Sequence, residues 1–336
     1  MMDWTRALPR YAGAAACTML CALSWTACGG QTSMPAGSPP GSEPQVEATR
    51  CSSSVVYVAT QHYPASIYIY DQGVHGKHPQ PCGQISNVKY PQGLFVDRRG
   101  NLWVAVEGDC KTQFSSVLEF APGGTTPIKR LADPDGVAWD VVVDDDSGTA
   151  YVTNVSNFTD KKTCAGSANG VVEVYAHGST LPTGILTDSR INEAVTDALD
   201  DRGNLYVDYL SAASSAGILK WRHGEGTAKD LGVLLPGAGG VQTTATGALA
   251  VCDQTECGGL APGSTKLSDR FGKASGPYAI ALDQAETDAW VQVPFGQTQR
   301  FKYPGPDRRA SESFLPPYGG DLGIAVNPPA PPGKPY

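Results

Sequence analysis

One unit recurs along this chain, and its period does most to limit what the chain can fold into. The unit is a short apolar run, an Asp-containing turn that often closes on Gly-Asn, and a second apolar run. A third run follows and ends in an aromatic residue and a Gly turn. The clearest copies are Gly93-Leu-Phe-Val-Asp97-Arg-Arg-Gly-Asn101-Leu-Trp-Val-Ala105 and Thr196-Asp-Ala-Leu-Asp200-Asp-Arg-Gly-Asn204-Leu-Tyr-Val-Asp208. Weaker copies run from Asp140 to Thr153, Gln242 to Cys252 and Ala279 to Gln292. The first runs centre near residues 95, 142, 198, 243 and 280, in steps of 37 to 56 residues. Those steps match the ~40–50 residues of a four-stranded propeller blade.

The turns carry their own chemistry. Asp97 and Asp200 are placed to accept hydrogen bonds from backbone N–H groups two residues on, and Gly100 and Gly203 take positive φ without a Cβ clash. A tight hairpin closes in this way. Third strands are expected at Ser116–Phe120, Val171–Tyr175, Gly217–Trp221 and Thr298–Tyr303.

Five first strands do not close a ring. The run Asp321 to Asn327 reads as a sixth, after which the chain enters a Pro-rich tail, residues 328–336. Its complement lies at the other end: Val55–Ala59 reads as a second strand, Ser66–Tyr70 as a third and Pro81–Ile85 as a fourth. Joined, the two ends make one complete blade and leave no open sheet edge. The expected fold is all-β, a six-bladed β-propeller over residues 51–327 with one blade closed by both chain termini.

The motif Asp-x-x-Gly-Asn-Leu-(Tyr/Trp)-Val, at Asp97 and Asp200, resembles that of NHL-repeat and regucalcin/gluconolactonase-like (SMP-30-type) six-bladed propellers. The resemblance implies an architecture more than an activity, because this fold hosts lactonases, lyases and binding modules alike. In the regucalcin-like lactonases a metal is held by a Glu at the start of one first strand, with Asn and Asp from other blades. Here the first strands are expected to begin around Gln92, Asp140, Asp197, Gln242, Tyr278 and Asp321, with no Glu at that place. Asn154 and Asp253 match parts of the pattern. They are the metal-ligand candidates, for Ca²⁺ or another divalent cation.

Ahead of the repeats, residues 1–27 read as a lipoprotein signal peptide. Arg6 and Arg10 precede a 12-residue apolar stretch from Ala14 to Trp25, too short to span a bilayer. Ser24-Trp25-Thr26-Ala27-Cys28 resembles a bacterial lipobox, with Trp25 where Leu is usual, so Cys28 is the expected lipidation site. Residues 28–50, rich in Gly, Pro and Ser, read as a flexible linker. Gly29 after the cysteine resembles the outer-membrane sorting pattern, and an exported, lipid-anchored protein of the outer membrane or cell surface is expected. Without its leader the chain carries a net charge of −9, and its sequence shows no basic cluster. That balance argues against nucleic acid as a partner and leaves the acyl chains to hold the membrane. The protein is expected as a monomer.

Export also accounts for the nine cysteines. Two leave with the leader, Cys28 takes lipid, and six remain. Six cysteines allow 15 pairings. The repeat map favours Cys51–Cys82 in the split blade, Cys110–Cys164 in insertions of adjacent blades, and Cys252–Cys257 across one short loop.

His75, His78, His177 and His223 map to turns between third and fourth strands, away from the channel. His62 follows a second strand, at the loops that frame the channel mouth. Glu107, Asn154, Asp208, Asp253 and Gln292 fall at or just beyond the ends of second strands, and with His62 they are the candidate ligand-binding residues. No nucleophile elbow, phosphate loop or HExxH motif occurs, so no catalytic residue is assigned. The reading is a non-catalytic envelope propeller that binds a protein or glycan. A divalent-metal-dependent lactonase or lyase is the alternative.

Overall fold

The computed structural model describes residues 51–60, 65–108, 114–133, 136–160, 165–272, 276–293, 296–306, 309–317 and 323–336. The expected leader, Cys28, His62, the expected Cys110–Cys164 pair and Asp321 lie outside them. Among the described residues there is no helix; twenty-five strands form six antiparallel sheets.

The strands follow one another in blades. The first sheet holds β1 (Val55–Thr60), β2 (Ser66–Asp71) and β3 (Gly83–Ser86). The second runs through β4 (Pro91–Val96), β5 (Leu102–Val106), β6 (Ser115–Phe120) and β7 (Pro127–Asp133). In the third, β8 (Gly136–Val143), β9 (Ala150–Asp160), β11 (Val171–Tyr175) and β12 (Gly184–Leu186) make the blade, and β10 (Ala165–Ala168) extends β9 as a hairpin. The fourth comprises β13 (Glu193–Leu199), β14 (Leu205–Leu210), β15 (Ala216–Arg222) and β16 (Glu225–Asp230). The fifth comprises β17 (Val241–Thr243), β18 (Leu249–Cys252), β19 (Cys257–Leu260) and β20 (Ser268–Phe271). The sixth comprises β21 (Ala279–Leu282), β22 (Asp288–Gln292), β23 (Thr298–Lys302) and β24 (Glu312–Phe314).

β25 (Ile324–Asn327) then returns to the first sheet, whose order is β25-β1-β2-β3. Val58 stands opposite Ile324 and Val55 opposite Asn327, so the two ends of the repeat region meet in one blade, as the sequence predicts. The Gln72 amide reinforces the closure by donating to the Asn327 carbonyl at 3.0 Å. A Cys51–Cys82 disulfide ties the same blade.

Among the described residues there are six hydrophobic cores, one between each pair of neighbouring blades. Val55, Tyr57 and Ile85 pack with Leu102, Val104 and Phe120 between blades one and two. Val56, Tyr70 and Val326 meet Trp290 and Phe314 between blades six and one. Large side chains such as Trp221, Trp290 and Phe301 are almost wholly buried, and each burial is worth about 1.5–3 kcal/mol.

The repeat turns close as their chemistry requires. Asp97 Oδ1 accepts from the amides of Arg99 and Asn101, and its Oδ2 from Asn101 Nδ2 and Trp103 Nε1. Asp200 does the same with Arg202, Asn204 and the Tyr206 hydroxyl. Gly100 and Gly203 sit at φ +82° and +68°.

The Pro-rich segment after Asn327 packs against the propeller, on the face that carries the turns between first and second strands. Ala330 donates to Leu282 O, Gly333 to Thr243 Oγ1 and Lys334 to Thr244 O, while Asp201 donates to Gly333 O. Tyr336 N donates to the Tyr206 hydroxyl, and Lys220 Nζ donates to Tyr336 O at 2.9 Å. This last stretch lies in a cleft lined by Arg202, Lys220, Arg222 and Lys229, cations of one blade that are scattered in the linear sequence.

Candidate functional site

The six inner strands β4, β8, β13, β17, β21 and β25 line a central channel, a cavity of about 130 Å³. Its two ends differ. At the tail face it is lined by Pro329, Ala330, Pro331 and Pro332, with Arg98 and Asp145 beside them. Arg98 pairs with Asp145 at 3.1 Å and with Asp146 at 2.5 Å. At the other end stand the termini of the second strands, where the sequence places the candidate ligand residues.

Asn154, Asp208, Asp253 and Gln292 are buried and Glu107 is half-buried, but they do not act as one ring. Asp208 and Gln292 occupy one register position, opposite Thr196 and Ala279. Asn154 and Asp253 occupy the next position along their strands, and successive side chains of a strand point to opposite faces. Gln292 is satisfied: Thr298 Oγ1 donates to its Oε1 at 2.7 Å and its amide donates to Val293 O. Glu107 accepts from Gln92 Nε2 at 2.5 Å, and burial raises its carboxyl above the usual range. Asp208 has no exposed surface. Its Oδ2 accepts from the amides of Gly239 and Gly240, and its Oδ1 has no partner. Burial pushes its pKa up to about 8, and the Asp253 charge adds to that rise.

As a divalent-cation site the donor set is poor. Asp253 Oδ1 already accepts from Thr255 N, Thr255 Oγ1 and Glu256 N, which closes its own loop. Asn154 is fully buried with neither amide atom partnered, wedged against Gly136 of the adjacent strand. Among the described residues no group of three or more His, Cys, Asp or Glu side chains stands close enough to share a metal ion. Asn154 and Asp253 therefore do not assemble the metal centre that the regucalcin-type resemblance implies. Two of the histidines lie elsewhere: His75 pairs with Glu312 at 2.6 Å, and His223 Nδ1 lies 2.8 Å from Arg202 O, both between third and fourth strands.

Glu193 is a residue the repeat did not reveal. β13 opens there, four residues before Asp197, and a register shift between Ala194 and Thr196 breaks the alternation that would have marked the longer strand. Burial raises its carboxyl as well.

The more telling pair lies one step down the channel wall. Asp140 of β8 and Asp197 of β13 both line the cavity. The Asp197 amide approaches Asp140 Oδ2 at 3.4 Å, and Val141 N donates to Asp140 Oδ1 at 2.9 Å. Asp197 is only 7% exposed, and neither of its carboxylate oxygens has a partner. Burial pushes Asp140 up to about 7, and burial plus the Asp140 charge holds Asp197 well above the ordinary carboxylate range. Beside them, the buried Thr196 hydroxyl is also unpartnered.

The internal repeat shows how unusual these acids are. In every blade one inner-strand residue stands opposite a second-strand valine: Leu94–Val104, Val141–Val152, Asp197–Val207, Val241–Val251, Ile280–Val291 and Ile324–Val58. Five of the six are aliphatic, so the fold does not require a carboxylate at this place. One residue nearer the mouth, the series reads Gly93, Asp140, Thr196, Gly240, Ala279 and Gly323. Asp140 is the outlier among small residues, and a Cβ on Gly93 would overlap its carboxylate.

The Cys252–Cys257 disulfide caps the β18–β19 hairpin, where the two residues face each other across the strands.

No protein-family model and no curated protein matches the sequence. Among solved structures the chain is similar to a luciferin-regenerating enzyme. The two share 11% sequence identity, with 80% of this chain and 83% of that one covered and a TM-score of 0.50. At that identity the likeness shows the fold alone, and it supports the propeller architecture read from the repeat.

Proposed function

We propose that this chain is an envelope-anchored, non-catalytic binding propeller that takes its ligand through the channel end opposite the Pro-rich segment. The observation that carries this reading is the set of buried, unpartnered polar atoms toward that end: both amide atoms of Asn154, Oδ1 of Asp208, Oγ1 of Thr196 and both carboxylate oxygens of Asp197. An unsatisfied buried polar group costs about 1–3 kcal/mol. Thr196 and Asp197 line the channel cavity itself, and buried unpartnered groups in such a place are the ordinary partners of a ligand that completes their hydrogen bonds. The leader, the cysteine at position 28 and the Gly/Pro/Ser linker support anchoring through an acylated Cys28.

The test is a thermal-shift screen of the purified protein against sugars, short peptides, organic ions and lactones, repeated on Asn154→Ala and Asp208→Asn. A compound that raises Tm in the parent protein and loses that effect in the variants supports the reading. Turnover of a lactone dependent on an added divalent cation would overturn its non-catalytic part. Mass spectrometry of the mature protein checks the anchor, and Cys28 without acyl mass would refute it.

A further inference from the structure

We infer that the channel receives a small organic cation, with its positive charge held by Asp140 and Asp197 and its carbon skeleton against the aromatic wall. The inference rests on the reading of the channel as a ligand site and names the class of ligand.

Four observations converge on it. Asp197 replaces an aliphatic residue at a position where the five other blades keep one, so its charge serves no packing need of the ring. Its two oxygens are buried, unpartnered and on the cavity wall. Asp140, from the neighbouring blade, also lines the cavity, and Gly93 leaves the space its carboxylate occupies. Thr196, next to Asp197, presents a further unpartnered oxygen.

The rest of the wall selects the kind of cation. Phe95, Trp139 and Tyr278 line the same cavity and are only half-buried. Aromatic faces attract an ammonium group as well as hydrocarbon. The volume of about 130 Å³ is similar to that of protein cavities that take up one benzene-sized ring, and far larger than a bare metal ion needs. Arg98 is the one cationic side chain on the wall among the described residues, and Asp145 and Asp146 already neutralise it. Two neighbouring carboxylates in one buried site resist carrying two full charges. A single positive charge is therefore the matching partner.

The experiment is calorimetric titration of the full-length protein with benzylammonium and tetramethylammonium. Benzyl alcohol serves as the neutral isostere, benzoate as the anion, and calcium chloride alone as the inorganic cation. Asp197→Val is the decisive variant, because valine already occupies the equivalent position in two other blades as Val141 and Val241. It is expected to fold with an undiminished Tm and to bind the ammonium ions about 30-fold more weakly or not at all. Asp140→Ala places a small residue where the other blades have one and is expected to weaken binding in the same sense. Equal binding of benzyl alcohol and benzylammonium, or unchanged affinity in Asp197→Val, overturns the inference while leaving a ligand channel in place. Binding of calcium alone that depends on Asp197 overturns the organic class. Failure of every compound, neutral or charged, in both this titration and the thermal-shift screen removes the ligand reading with it.

Discussion

Gly93 and Asp140 fit together on adjacent inner strands because one of them has no side chain: a Cβ at Gly93 would overlap the carboxylate of Asp140. Gly93→Ala is therefore expected to destabilise the protein by about 1–3 kcal/mol, the usual cost of forcing extra volume into a packed site. Combining it with Asp140→Ala should recover the part of that loss owed to the carboxylate, while the overlap with the Asp140 Cα remains. Denaturant unfolding of the two single variants and the double variant measures the coupling, and strict additivity would show that the two residues do not interact.

Asp208 predicts a pH dependence. Burial lifts its folded-state pKa to about 8, above the 3.8 of a free carboxyl, so the folded state favours the protonated acid. Its contribution to stability is fully present below about pH 4 and is lost as the pH rises through 8. Asp140, Asp197 and Glu107 shift in the same direction. Stability of the parent protein should fall between pH 5 and 9 by an amount on the order of a few kcal/mol. Asp208→Asn should flatten part of that slope and be the more stable protein at pH 9. A slope that is unchanged in the variant would place the titration elsewhere.

The split blade depends on its covalent tie. Cys51 and Cys82 are 31 residues apart, and a loop of that size is worth about 3–4 kcal/mol in the chain-entropy view. The double variant Cys51→Ala/Cys82→Ala should lose stability on that scale. Hydrogen exchange at the amides of β1 and β25 should rise before exchange in the fourth blade does.

The Pro-rich segment makes a local prediction. A Cβ on Gly333 would overlap the backbone of Thr244, so Gly333→Val cannot keep the hydrogen bonds that join this segment to Thr243, Thr244 and Asp201. The expected result is faster amide exchange at Asp201 and Lys334 and a Tm loss of a few degrees, corresponding to roughly 1 kcal/mol. Unchanged exchange at both amides would mean that the segment is held by its other contacts.

Much of the architecture was readable because the repeat advertises local chemistry. Asp97 with Asn101, and Asp200 with Asn204, mark their hairpins within five residues, and the ends of the repeat region declared themselves as parts of one blade. The site was less legible, for a physical reason. Asp140 and Asp197 were visible as starts of inner strands, but their meaning depends on Gly93, two blades of register and the absence of partner atoms, none of which is local in sequence. Asn154 and Asp253 shared a place in the repeat with a metal-binding pattern, but Asp253 is drawn into its own loop by Thr255 and Glu256. The proline spacing of residues 328–336 likewise says nothing of the groove the segment fills.

The pairing of β1 with β25 also sets a timetable. A chain made from its amino end emits β25 after the other described strands, so the first blade waits as three strands while the other five are completed. The β1–β25 contacts that complete the first blade are postponed until that strand has been made. Until then β1 offers an unpaired edge, and the arrival of four residues, Ile324 to Asn327, covers it.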